Sequence, residues 1–247
     1  MSASALSGEQ SLDMSKRAMA VHEVTFPIRD EREILALRAG DEVVVQGHII
    51  GIRDRTQIRI FDQGVEPPMD LRGSFLLHTA PGVRKVGEQG GACDADPKEP
   101  RASLAVPSAM TGRSVSNSAI STSKYEPVCI GTTTSARMVR FTEPLGSQYG
   151  VRAICGKGGF PDEAIEPMRR HGMVYFAIVG GAAALETTQI EEIEEVAWEE
   201  LMPECLWKFR VKDFGPLTVG IDAHGNSLYH DVQEAARKKL EELYAKL

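Results

Sequence analysis

Thr133 and Arg137 stand four residues apart in the stretch GTTTSARM, Gly131 to Met138. On a helix that spacing is one turn, so a hydroxyl and a guanidinium would face one spot. Arginine's planar fork matches a carboxylate in a two-point contact. Another cation, Lys157, lies among glycines in GKGG, where a compact backbone lets an ammonium approach a ligand. Both glycine loops read as junctions from strand to helix, where unpaired backbone N–H groups attract carboxylates and phosphates. The same hydroxyls also suit plain helix caps. GKGG occurs in many surface turns, and the Ser or Thr that follows it in a phosphate-binding loop is absent here. The pattern leaves the cap and the anion site both open, and it cannot name the anion.

The surrounding chain narrows the partner. It has 247 residues, 42% of them hydrophobic, which suffices for one sizeable core but not clearly for two. A formal net charge of −7 argues against nucleic acid or an anionic membrane, which need a basic surface. No apolar run approaches the ~20 residues of a membrane span. The first twenty residues, MSASALSGEQSLDMSKRAMA, lack the apolar core of a secretory signal and read as a flexible tail, with a cytoplasmic location expected. Cys93, Cys129, Cys155 and Cys205 form no CxxC pair, so reduced thiols are expected and no closed metal site from this chain alone.

The elements that must position these residues follow from periodicity. REILAL reads as a short helix, Gly40–Asp41 as a turn, EVVVQ and HIIGI as strands, Gln57–Asp62 as a helical stretch and GSFLLHTAP as a strand. Residues 87–124, rich in Gly, Pro, Ala and Ser, read as a surface insertion or disordered loop. EPVCI and VRAIC are strands that lead into the two glycine loops, and PDEAIEPMRRHG is a helix. MVYFAIV reads as a buried strand, and TTQIEEIEEVAWEEL fits helix or strand. WKFRVKDFGPLTVGIDAHGNSL looks like a meander with turns at Asp213–Pro216 and His224–Asn226, Asp222 and Asn226 shaping the second. The division expected is a tail over 1–20, a domain over 21–230 and an amphipathic helix over 231–247. The class is mixed α/β.

Four motifs in order, GTTTSARM, RAICGKGGF, ALETTQIEEIEEVAWEELMPECLW and VKDFGPLTVGIDAHGNSL, resemble the β subunit of the class I (iron–sulfur) fumarases and L-tartrate dehydratases. The likeness runs from about Thr25 to Leu228. It implies a swivelling β/β/α domain of mixed sheets with helices, in a hetero-oligomer. A separate α subunit would carry the four-iron–four-sulfur cluster. The family pattern G-P-T-T-x-x-R-M aligns on Gly131 to Met138, with Thr132 at the usual proline. It puts the catalytic threonine on Thr133 and a substrate arginine on Arg137. The family's loop lysine falls on Lys157, and its R-D-x-x-H motif on Arg53 and Asp54, with Gln57 at the histidine. H-A-G-P is altered to His78-Thr79-Ala80-Pro81-Gly82.

The implied chemistry removes water from a 2-hydroxy dicarboxylate, with an iron of the partner polarising the departing hydroxyl. Arg53, Arg137 and Lys157 would stabilise charge that develops on the substrate carboxylate. A threonine hydroxyl acts as a base only in the company of cations, which favour its alkoxide. Fumarate and malate are the expected pair because fumarases are the commoner members, with tartrate the rival substrate. An alternative, motivated by Thr132, Gln57 and the insertion, is a non-catalytic anion-binding or regulatory subunit. The remaining histidines are scattered, and the acidic run EEIEEVAWEE reads as a solvated face or a partner surface.

Overall fold

In a computed structural model of the chain, which describes residues 18–86 and 125–246, the alternating run VHEVTF is strand β1 (Val21–Phe26). Helix α1 (Glu31–Ala36) follows, capped by the Asp30 carboxylate. The two β-branched runs join into one strand, β2 (Glu42–Ile52). Helix α2 (Asp54–Phe61) comes at once, then β3 (Phe75–His78). Strands β4 (Gly82–Lys85) and β5 (Tyr125–Cys129) pair antiparallel. A 3-10 turn (Ala136–Phe141), α3 (Thr142–Tyr149), β6 (Ala153–Gly156), α4 (Ile165–His171) and β7 (Val174–Ala177) continue the chain. It closes with α5 (Ala183–Thr188), β8 (Ile190–Ala197), β9 (Leu206–Ile221) and α6 (Leu228–Tyr244). The expected insertion over 87–124 and the first 17 residues of the expected tail lie outside the described residues.

Strands β1, β2, β3, β6 and β7 run parallel as neighbours, and β9 lies antiparallel to β2, β7 and β8. The sheet order is β1-β2-β3-β6-β7-β9-β8, and the extra pairing of β2 with β9 closes β2, β3, β6, β7 and β9 into a ring. The period of two then fills both faces. Phe75 and Leu77 of β3 join Phe26, Phe176, Trp207 and Phe209 in one cluster. Leu76, Ile154 and Tyr175 join a second, with Ile60 of α2, Leu145 of α3 and Met168 of α4. Parallel strands covered on both faces carry such near-continuous apolar runs.

Two segments depart from what their pattern gives. DFGP does not turn, because β9 runs straight through it. Asp213 takes a φ of 53° and Gly215 one of 135°, and the β2–β9 register shifts there as at a bulge. Gln46 pairs with the Asp213 backbone N–H and side chain, and Gln189 with the Gly215 backbone, so the groups a turn would expose are satisfied in the sheet. The ambiguous acidic run becomes β8. Its glutamates meet Lys208 and Arg210 across the strand pair, which relieves repulsion that the run has by itself. His224–Asn226 is a turn as read, with Asp222 accepting from the His224 and Asn226 backbone N–H groups at 2.9 and 3.0 Å.

Candidate active site at the ends of the parallel strands

Parallel strands deliver their carboxyl ends to one edge, and in α/β folds, open or closed into barrels, that edge is where ligands bind. Here β2 ends into Arg53 and Asp54, β3 ends on His78, β6 runs into Lys157, and β7 leads through Gly180 to α5. Residues 132–135 wedge between the ends of β3 and β6. The Thr133 N–H donates to the His78 carbonyl at 2.7 Å. In turn Lys157 N–H donates to the Thr133 carbonyl, and Ser135 N–H to the Lys157 carbonyl. Gly156 makes the close approach possible, since a Cβ there would sit 1.9 Å from Ser135 Oγ.

This wedge corrects the helical reading of GTTTSARM. Thr132 and Thr134 form isolated β-bridges, with Thr79 and Lys157, and the turn that follows is 3-10 rather than α. Ser135 stands at the cap position without capping. Its hydroxyl is taken instead by His78 Nδ1 at 2.9 Å and by the Tyr175 hydroxyl at 3.1 Å. The second loop leads into another 3-10 turn, Asp162–Ala164, before α4. Neither loop opens directly into an α-helix, so the expected helix-end attraction for anions gives way to side-chain cations.

Arg137 is brought to Arg53 through Asp54. Its Nε donates to both Asp54 oxygens, at 2.9 and 2.8 Å, which leaves the two Nη groups for another anion. Arg53 Nε lies 3.5 Å from Asp54 Oδ2, an ion pair without a well-formed hydrogen bond. The Lys157 stem passes over Gly180, where a Cβ would meet its Cδ at 2.5 Å. The wedge therefore gathers Thr133 and Lys157 directly, and Arg53 and Arg137 through their shared carboxylate.

Several polar atoms at this edge have no partner. Arg53 Nε, Gln57 Oε1, His78 Nε2, Thr133 Oγ1 and both Glu186 oxygens are buried without a hydrogen bond among the described residues. Buried polar groups are nearly always satisfied, so a concentration of orphans marks a place shaped for something polar. Burial holds His78 neutral, its pKa pushed down to about 3, with Asp54 pulling up and Arg137 adding to the drop. Burial also pushes Glu186 up to about 7, against the opposite pull of the Thr132 backbone N–H and Lys157. Gln57, at the expected histidine position, is fully buried and sends its Nε2 to Met138 Sδ at 3.0 Å.

Residues 119–232 match the family described as Fumarase C-terminus. The chain is 35% identical over 206 residues to the L(+)-tartrate dehydratase subunit beta of Escherichia coli (strain K12), over 83% of this chain and 85% of that one. It belongs to the class I fumarate hydratase and tartrate dehydratase β family. A second relative, a putative L(+)-tartrate dehydratase subunit beta from Methanocaldococcus jannaschii, is 31% identical over 226 residues, 90% of this chain and 98% of that one. A putative fumarate hydratase class I from Geobacillus stearothermophilus is 30% identical over 231 residues, which span 93% of this chain but 37% of that one. The similarity thus covers only part of that longer relative.

In this member of the fumarase/tartrate dehydratase β family, the described residues do not fit an iron–sulfur cluster. No three of their His, Cys, Asp or Glu side chains gather as a metal site. Cys129 is exposed, whereas burial pushes the thiols of Cys155 and Cys205 up, the latter to about 12, away from the thiolate that ligation needs. Sequence reasoning missed three residues of this edge, Ser135 as His78's partner, Tyr175 and Glu186. Their only signal is position: Ser135 follows the threonines, Tyr175 alternates with core residues, and Glu186 interrupts a run of small ones.

Proposed function

We propose that this chain is the substrate-binding β subunit of an iron–sulfur hydro-lyase, acting on fumarate and L-malate or dehydrating L-tartrate, in a hetero-oligomer whose separate α subunit holds the cluster. The observation that carries the reading is the convergence of Arg53, Arg137 and Lys157 on the strand-end edge where the Thr133 hydroxyl is buried without a partner among the described residues. Relatives named for tartrate dehydration and fumarate hydration support the same chemistry. The ring of strands supports a swivelling β/β/α domain.

Arg137 would grip one substrate carboxylate with its Nη groups while Asp54 fixes the guanidinium plane. Lys157, on the other side of the wedge, would neutralise the second carboxylate. As the alkoxide that neighbouring cations favour, Thr133 Oγ would take the proton from the carbon beside one carboxylate while hydroxide leaves the adjacent carbon, and the charge that spreads onto that carboxylate in between would meet the gathered cations. Each well-aimed donor of this kind contributes on the order of 3 kcal/mol to the transition state. Neutral His78 adds no positive charge but holds Ser135, and with it the wedge.

The test is anaerobic co-expression with the α subunit in the presence of iron. Fumarate hydration, malate dehydration and dehydration of both tartrates are then assayed for the chain alone and for the pair. The pair is expected to turn over at least one of these dicarboxylates and the single chain none. A loaded pair that binds dicarboxylates without turning any over would favour the regulatory reading instead.

A further inference from the structure

Glu186 has no part in the chemistry above, yet it is a buried carboxylate near Lys157. It is 3% exposed, and neither oxygen makes a well-formed hydrogen bond among the described residues, although the Thr132 backbone N–H lies near enough to favour its ionised form. The short helix α5 is locked onto the wedge. The Ile130 N–H donates to Thr187 Oγ1 at 2.7 Å, and a Cβ on Gly131 would sit 2.6 Å from the Ala183 Cβ. Glu186 is therefore fixed facing the start of the wedge and the end of β6. The groups around it are few: the Thr132 backbone N–H, the Lys157 ammonium and the Cys155 thiol. Burial keeps that thiol protonated, so Lys157 is the one opposite charge among these groups that Glu186 can use.

We propose that Glu186 is a positioning residue that competes with the incoming dicarboxylate for the Lys157 ammonium and takes up a proton when that anion binds. The proposal rests on Lys157 being a substrate contact. The physical reason is charge counting in a poorly solvated corner. One ammonium can satisfy one carboxylate well, and a second anion beside it is costly while both stay ionised. The Lys157 stem already lies packed against Gly180, in the space that a Cβ there would take. Protonation of Glu186 removes the conflict and frees the ammonium for the substrate. The raised value of Glu186 places that exchange near neutral pH.

The sign follows from linkage. Binding an anion beside Glu186 favours its protonated form, so binding is tightest below about 7, where the proton is already present. Above that value each bound dicarboxylate must draw a proton from solution, and KM rises by up to about tenfold per pH unit. The substrate carboxylates stay ionised throughout this range and contribute no slope of their own.

The experiment measures KM and kcat of the assembled enzyme between pH 6 and pH 9 for the wild type, Glu186→Gln and Lys157→Met. It also measures proton uptake on binding of succinate, which has the two carboxylates without the reacting groups, by calorimetry in buffers of different ionisation enthalpy. Expected for the wild type are a KM that climbs above neutrality with a flat kcat, and uptake of up to one proton per site. Expected for Glu186→Gln are a low KM without that climb, and no uptake. A Glu186→Gln enzyme that keeps the wild-type slope overturns the inference and leaves the site reading intact. Unchanged KM in Lys157→Met overturns the site reading and the inference with it. Should Glu186→Gln fail to fold, absence of succinate-linked proton uptake in the wild type overturns the inference alone.

Discussion

Thr133 Oγ is the atom on which the reading of the residues turns, because a buried hydroxyl without a partner is either a ligand contact or an unexplained cost of about 1–3 kcal/mol. Thr133→Val keeps the shape and removes that hydroxyl. Turnover of the assembled enzyme is expected to be nearly abolished while succinate binding survives, and melting temperature should change little or rise, since no hydrogen bond is lost. Near-normal turnover would sink the proton-transfer role. Arg137→Lys keeps the charge but loses the fork held by Asp54, so transition-state binding is expected to weaken by about 2–3 kcal/mol, read from kcat/KM. A motif names Arg53, Thr133, Arg137 and Lys157, and all four lie along the carboxyl-end edge of the parallel strands, while their roles belong to the proposed function. Glu186 and Ser135 were not legible in this way, because their roles come from burial and from who lies across the wedge. A sequence window shows neither.

The wedge itself is the element that had to be built for those residues to meet, and Gly156 is its tightest point. A methyl there would strike Ser135 Oγ, which is no loose end: His78 and Tyr175 both hold it. Gly156→Ala is expected to cost about 1–3 kcal/mol of stability by overpacking. Adding Ser135→Ala should recover part of that stability by removing the struck atom, so the two changes are expected to be less than additive in denaturant unfolding. Full additivity would mean that the contact does not set the geometry. Strand cores were readable at this scale, because the β-branched run of Glu42–Ile52 and the apolar FLLH and VYFA leave few alternatives. Helix and turn signals were less so. GTTTSARM has cap chemistry, but its backbone hydrogen bonds go to His78 and Lys157, and DFGP has turn chemistry that Gln46 and Gln189 hold in a strand. Both outcomes depend on partners far away in sequence.

For the molecule as a whole, the mixed α/β class followed from alternating strand and helix patterns, while closure through β2 and β9 did not. Nothing local announces that a strand of sixteen residues will pair with three others. That closed ring has a consequence for hydrogen exchange. A strand with neighbours on both sides cannot release its amides without disrupting two ladders, so the ring should exchange only through global unfolding. The slowest amides are expected in β3, β6 and β7, at Leu76, Ile154 and Tyr175. The β4–β5 pair, outside the ring, and α6, which buries none of its residues, should exchange by small local openings that barely respond to denaturant. The wedge belongs to neither class: its amides reach only the last residues of β3 and the first after β6. The expectation is an intermediate opening that carries the wedge alone, measurable as protection at Thr133 and Ser135 below that of Ile154. Equal protection would tie the wedge to the ring. Lower protection would mean that the Thr133 hydroxyl sits on a hinge that can breathe while the frame around it stays shut.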